Sequence, residues 1–316
     1  MASLGRPGYI NLDRSTIFGT ESRTLETMQS QANLVLDQLF ESSPAGEKPW
    51  IDCARSYGLS EKFTGEYLRK NKVDPKSVYV SSKWGYTYVA DWKVELAEGQ
   101  PHEVKDHSKE NFLKQLEETK QEVGEFVDLY QIHSATFESG VLDNKECHEA
   151  LHKCREERGW ALGLSVSSPL QGDVLAAAMK IEVDGRRLFD SVQCTYNLLE
   201  QKPGPALQVA HDSGMDIIVK EGLANGRILR HPKAIEYADK LGCSTDQLAL
   251  ACILAQPFEP RVLSGAVTPD QLSSNLAALH ISEKLKEDKD LLKEIMAACV
   301  VDSEMYWKER SALAWN

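Results

Sequence analysis

The sequence predicts an α/β protein built as a (β/α)8 TIM barrel. Three observations carry that expectation. Between residues 50 and 279, short apolar runs of strand length alternate with stretches whose apolar residues recur at helical spacing. The runs themselves, such as Asp216-Ile217-Ile218-Val219 and Phe126-Val127-Asp128-Leu129-Tyr130, are mostly apolar, as strands covered on both faces must be. Single titratable residues fall where successive strands stop, and a barrel gathers such residues on one rim. An open doubly wound sheet is the competing architecture. It predicts a Gly-x-Gly-x-x-Gly turn after an early strand, and the sequence contains none.

Residues 8–12 (Gly-Tyr-Ile-Asn-Leu) are expected as a short first strand. A helix follows over 24–40, where Leu25, Met28, Ala32, Val35, Leu36, Leu39 and Phe40 share helical spacing, and Ser43-Pro-Ala-Gly ends it. Trp50–Ala54 reads as the second strand, Ser60–Lys70 as its helix, and Val78–Lys83 as the third strand. Residues 84–107 read as a long polar loop, 108–124 as a helix and 126–133 as a strand. The alternation continues with helix 145–158, strand 161–165, helix 170–180, strand 191–196, helix 202–213 and strand 216–219. Two helical stretches, 232–241 and 245–256, precede the eighth strand, 261–265, and its helix, 269–279. The tail from about 283 to 316 is amphipathic and helical, and no linker divides the chain, so residues 1–316 are expected as one domain.

Composition narrows the function. A formal charge of −12 argues against nucleic acid and anionic membrane as partners. The seven cysteines show no CxxC spacing, which reads as free thiols in a reducing, cytoplasmic setting. The longest wholly apolar run, Leu248–Ala255, is far too short to span a bilayer, and the first residues carry no apolar targeting core.

The stretch Trp50-Ile51-Asp52-Cys53-Ala54-Arg55-Ser56-Tyr57-Gly58 runs from a strand into an acid and then a tyrosine. Lys83 ends the next strand and His133 the one after. These four types suit carbonyl reduction. An alkoxide needs a proton donor, and tyrosine, with a reference pKa of about 10, is too weak an acid alone. An ammonium lowers that pKa, so Lys83 is expected to lower it for Tyr57, with Asp52 holding Lys83 in place. His133 is expected to place the carbonyl oxygen. Taken singly, each residue reads more simply as a cap, a solvated lysine, a core tyrosine or a structural histidine. Their joint occurrence at three consecutive strand ends favours function. Cys147, His148, His152 and Cys154 imitate a zinc site, but on a helix they fall on different faces, so no metal is expected there.

Asp52, Tyr57, Lys83 and His133 resemble the catalytic tetrad of the aldo-keto reductases. The resemblance implies a hydride from NADPH, with NADH possible, and reduction of a small-molecule aldehyde or ketone with Tyr57 as general acid. It implies that Ser165 and Gln193 hold the nicotinamide amide. Gly163-Leu164-Ser165-Val166 departs from the family motif at Val166, whose side chain makes no such bond. Lys220-Glu221-Gly222-Leu223-Ala224-Asn225-Gly226 looks like the loop that embraces the pyrophosphate, through Leu223 and Gly226. Lys220 stands where the family often stacks an aromatic ring on the nicotinamide. Gly265-Ala266-Val267-Thr268-Pro269-Asp270-Gln271, with Asn275, is a well-capped helix start and hence an anion site. There the resemblance implies the adenosine 2′-phosphate, contacted by Gln271, Asn275 and backbone of Gly265 and Val267. It also implies a monomer or weak oligomer. Substrate choice is expected in the 84–107 loop with Trp84, Tyr86, Tyr88 and Trp92, in the first loop around Asn11–Thr20, and in the tail at Tyr306, Trp307 and Trp315. A cofactor-sensing subunit with little turnover is the alternative reading.

Overall fold

The computed structural model describes residues 1–10, 23–44 and 46–316, so the loop expected around Asn11–Thr20 lies outside the described residues. Eleven strands and eleven α-helices are described, in chain order. They are α1 (Leu25–Ser42), β1 (Trp50–Asp52), α2 (Ser60–Lys70), β2 (Tyr79–Trp84), β3 (Tyr86–Tyr88), β4 (Glu103–Lys105), α3 (Lys109–Glu122) and β5 (Val127–Ala135). Then follow α4 (Lys145–Arg158), β6 (Ala161–Val166), α5 (Gln171–Ala178), the hairpin β7 (Glu182–Val183) and β8 (Arg186–Arg187), β9 (Ser191–Thr195), α6 (Gly204–Asp212) and β10 (Asp216–Lys220). The chain ends with α7 (Pro232–Leu241), α8 (Thr245–Leu254), β11 (Arg261–Val262), α9 (Pro269–Glu287), α10 (Lys289–Cys299) and α11 (Ser303–Ser311).

Seven strands form one parallel sheet in the order β1-β2-β5-β6-β9-β10-β11, each following the last in sequence with helices between. That sequential order is the winding of a (β/α)8 barrel. Among the described residues, β11 and β1 are not hydrogen-bonded to each other, so the curled sheet has an open seam there. The expected first strand is corrected accordingly: Ile10 makes only an isolated antiparallel bridge to Trp315. Two further expectations need correction. The loop over 84–107 contains the antiparallel pair β3–β4, and the eighth expected strand shrinks to Arg261–Val262.

Local chemistry explains the helix limits. Thr24, Ser108, Asn144 and Thr268 each accept a backbone N–H at an N-terminus, and Gly159 closes α4 in the left-handed region at φ 73°. The strand faces are buried on both sides: every residue of β9 is buried. Cys147 and Cys154 pack into the core from α4, while His148 Nε2 donates to the Val141 carbonyl and His152 lies near Asp184. The four therefore face different surroundings. Among the described residues no helix is long and apolar enough to cross a membrane.

Candidate active site

The centre of the site is a buried ion pair. β1 pairs with β2 in parallel register, Asp52 opposite Ser81, which brings the end of one strand beside the end of the next. Lys83, with no exposure, reaches back to Asp52 Oδ2 at 2.6 Å and to the Cys53 carbonyl at 2.8 Å. The other carboxylate oxygen accepts from Ser81 Oγ at 2.7 Å and Gln193 Nε2 at 3.1 Å. A charge so desolvated must be matched this fully.

Tyr57 lies over that pair, with Lys83 Nζ 4.8 Å from its ring centroid. The chain turns there through Gly58, at φ +60°, and a Cβ on Gly58 would strike the Gly5 carbonyl oxygen. The glycine after the tyrosine is thus required twice, by backbone conformation and by the close passage of residues 5–6. Leu59 donates to that same Gly5 carbonyl at 2.7 Å, which fixes the crossing. His133 stands edge-on to Tyr57, ring centroids 5.5 Å apart at 90°, and its Nδ1 is 3.2 Å from Ser56 Oγ. Tyr86 packs on the other flank of His133 at 5.1 Å.

Burial pushes the Tyr57 phenol well above its ordinary pKa; the Asp52 carboxylate adds to the rise and the Arg6 guanidinium opposes it. This reverses the expected lowering by Lys83. The reason is physical: Lys83 is matched by Asp52, and desolvation outweighs what remains. His133 is driven well below its usual value by burial and then by the charges of Lys83, Arg6 and Lys220, so its imidazole is neutral at physiological pH.

A cavity of about 580 Å³ opens beside the pair, and Asp52 and Tyr57 both line it. So do Gln193, Lys220, Leu223, Gly226, Gly265, Val267, Gln271 and Asn275, that is, all the expected cofactor residues except Ser165. Ser165 is fully buried beside Gln193 in the β6–β9 register, and its Oγ accepts from the Ser134 amide at 2.8 Å. The cavity runs from Tyr57 to the N-terminus of α9. Gln271 Oε1 there accepts from the Val267 amide at 3.0 Å, and Asn275 Nδ2 donates to the Ser264 carbonyl and hydroxyl. These side chains, expected as ligand contacts, are therefore engaged in closing the helix start.

The donor set fits a dinucleotide. Gln193 Oε1 is buried and unpaired, which suits a carboxamide N–H, and Ser165 keeps a hydroxyl proton to donate. Gly265, at φ +68° with open space around its Cβ position, leaves backbone free to approach a phosphate at the helix end.

Several site residues carried no signal in the sequence. Arg6 is 2% exposed, donates to the Ser56 carbonyl at 2.7 Å, pairs with Glu103 at 2.8 Å and lies over the rings of Tyr57, Tyr9 and Trp315. Glu221 receives a forked contact from Arg310 of α11 at 2.6–3.0 Å. Asp246 also lines the cavity, as does Arg230, which with Arg227 and Lys233 is a cation the sequence offers from the seventh loop. A lone arginine early in the chain and an acid in a loop have no spacing that marks them. Of the expected aromatic wall, Trp84 is fully buried against Phe112 and His107, and Tyr306 is buried with its hydroxyl near Asn197. Tyr86 alone of the four loop aromatics touches His133.

A model described as the aldo/keto reductase family matches residues 17–297. The NADH-specific methylglyoxal reductase of Escherichia coli K12 is 24% identical over 305 residues, spanning 84% of this chain and 88% of that protein. An uncharacterized oxidoreductase of Bacillus subtilis is 22% identical over 307 residues, spanning 89% and 92%. The holo form of an aldo-keto reductase from Bacillus halodurans has a similar fold, with a TM-score of 0.64 at 19% identity over 90% of this chain and 93% of that one.

Proposed function

This chain belongs to the aldo/keto reductase family, and from that premise we propose that it reduces an aldehyde or ketone to the alcohol using a reduced nicotinamide dinucleotide. The observation that most supports the reading is the buried Lys83–Asp52 pair beneath Tyr57, with neutral His133 edge-on beside it. The dinucleotide supplies the hydride when bound.

The chain's own residues do the rest. Tyr57 gives its proton to the carbonyl oxygen as negative charge builds there. Its raised pKa keeps that proton in place at every physiological pH. Lys83 and Arg6, 4.8 and 5.5 Å from the ring centroid, stabilise the phenolate left behind. His133 orients the carbonyl. In the tautomer whose Nδ1 accepts from the Ser56 hydroxyl, Nε2 carries the ring proton and is the donor to substrate. Gln193, which lines the cavity, holds the carboxamide, with Ser165 buried behind it, and the 223–226 and 265–275 segments hold the phosphates.

NADPH is the expected cofactor and NADH the competitor. Arg230 is a cation suited to a 2′-phosphate, Asp246 a carboxylate suited to a free 2′-hydroxyl, and both line the cavity. The Escherichia coli relative is described as NADH-specific. The experiment is a titration with each cofactor, read by tryptophan fluorescence, followed by an aldehyde panel that begins with methylglyoxal and reads cofactor oxidation by absorbance. Binding with oxidation is the expected result and decides the cofactor. Binding without turnover on any carbonyl would favour the sensing role, and binding of neither cofactor would overturn the reading.

A further inference from the structure

We propose that Lys220 makes this cavity prefer the reduced, neutral nicotinamide ring over the oxidised, cationic one, and thereby keeps the chain loaded with the reduced cofactor. The inference rests on the reading above that the cavity takes such a cofactor. It concerns which redox state is held.

Lys220 ends β10 and lines the cavity together with Asp52, Tyr57 and Gln193. Its ammonium is fixed by two neutral acceptors, Thr195 Oγ1 at 2.6 Å and Ser167 Oγ at 2.9 Å. Hydroxyls hold a charge in place without cancelling it. The neighbouring carboxylate, Glu221 at 3.8 Å, is already held by the Arg310 fork. One carboxylate thus faces two cations, and the group keeps a net charge of +1. The other cations near Tyr57 are matched singly, Lys83 by Asp52 and Arg6 by Glu103.

This charge faces the reacting end, since Lys220 lines the same cavity as Asp52, Tyr57 and Gln193, and it is one of the charges acting on His133. A ring that donates hydride beside Tyr57 must lie within the same field. The reduced ring is neutral and feels little of it. The oxidised ring carries a full positive charge and is repelled, strongly so in a buried, weakly screened site. By linkage, the logarithm of the ratio of the two dissociation constants sets a rise in the reduction potential of the bound couple, so the preference acts through which cofactor fills the cavity and not through a stronger hydride donor. Product cofactor is released readily, and the reverse reaction starts from a poorly held reactant.

The test compares Lys220→Met and Lys220→Arg with the wild-type chain. Dissociation constants are measured for NADP+, NADPH, NAD+ and NADH, and for ADP-ribose and its 2′-phosphate, which lack the ring. In the wild type, the oxidised-to-reduced ratio should be high. In Lys220→Met it should fall by roughly tenfold, a change of about 1.4 kcal/mol in relative affinity. Lys220→Arg should retain the ratio, and the ring-less fragments should bind all three proteins alike. An unchanged ratio in Lys220→Met overturns the proposal, as does an equal weakening of every ligand, which would make Lys220 a phosphate contact. If wild type binds no dinucleotide at all, the reading of the cavity falls instead, a result distinct from either.

Discussion

The ammonium of Lys83 lies 2.6 Å from the Asp52 carboxylate, with the lysine side chain wholly buried and the aspartate nearly so. Charges taken out of water in this way are costly to separate. Replacing Lys83 by Met leaves the Asp52 carboxylate with Ser81 and Gln193, both neutral, as its side-chain donors. Folding stability should drop by about 3–5 kcal/mol, read as a lower urea midpoint with an unchanged slope. Adding Asp52→Leu should return a large part of that loss. If the double variant were no more stable than the single one, the pair would not be the source of the cost.

Tyr57→Phe removes the proton donor and little else, because the ring keeps its contacts with His133, Arg6 and Lys83. Turnover should fall by about 10²–10⁴-fold, the usual range for losing a general acid. Cofactor affinity should stay within about twofold, since no hydrogen bond to the cofactor is lost. Wild-type turnover in this variant would remove Tyr57 from the mechanism.

Glu221 makes acid stability a sensitive measurement. Burial opposes its ionisation, but Lys220 and Arg310 outweigh that and bring the carboxyl down to about 2 from an ordinary 4.5. A lowered carboxylate stabilises the folded state fully above its unfolded pKa. That contribution fades as pH falls from about 4.5 towards 2. Glu221→Gln should lose about 3 kcal/mol at neutral pH and show a flatter stability profile across that window. A variant profile parallel to the wild type there would show that other carboxylates govern acid unfolding.

Gly58→Ala should damage both stability and turnover. The backbone is left-handed there, and the new methyl would meet the Gly5 carbonyl. A cost of about 1–3 kcal/mol is expected from the conformation, with a larger fractional loss in kcat than in cofactor affinity, because Tyr57 is displaced. Unaltered kcat would mean that the crossing of residues 5 and 58 does not position the tyrosine.

The strands and their end residues were legible because alternation and burial leave strong marks. Lys145–Arg158 is bounded by Asn144 and Gly159, which signal both ends of α4. Asp52 and Lys83 meet because parallel neighbours bring successive strand ends together, so reading the strands was enough to bring the charges together. What failed to show depends on distant partners or on solvent. Tyr86-Thr87-Tyr88 is too short to announce itself, and its partner strand comes only after a long polar stretch. Ile10 lies in a strand-like run but bridges Trp315 near the other end of the chain. The direction of the Tyr57 shift depends on how far water is excluded, which residue types alone do not state.

The open seam gives the site an uneven foundation. β1, which carries Asp52, is paired with a strand on one flank only among the described residues, although the Asp52 carbonyl accepts from the Met1 amino group at 3.0 Å, whereas β5 and β6 are paired on both. Amide protons near Asp52 should therefore exchange with solvent through smaller fluctuations than those of the sheet's middle. The chemistry is thus anchored at the margin of the cooperative unit. A modest local opening could part the acid from its lysine, and silence the tyrosine, while the rest of the sheet stayed folded.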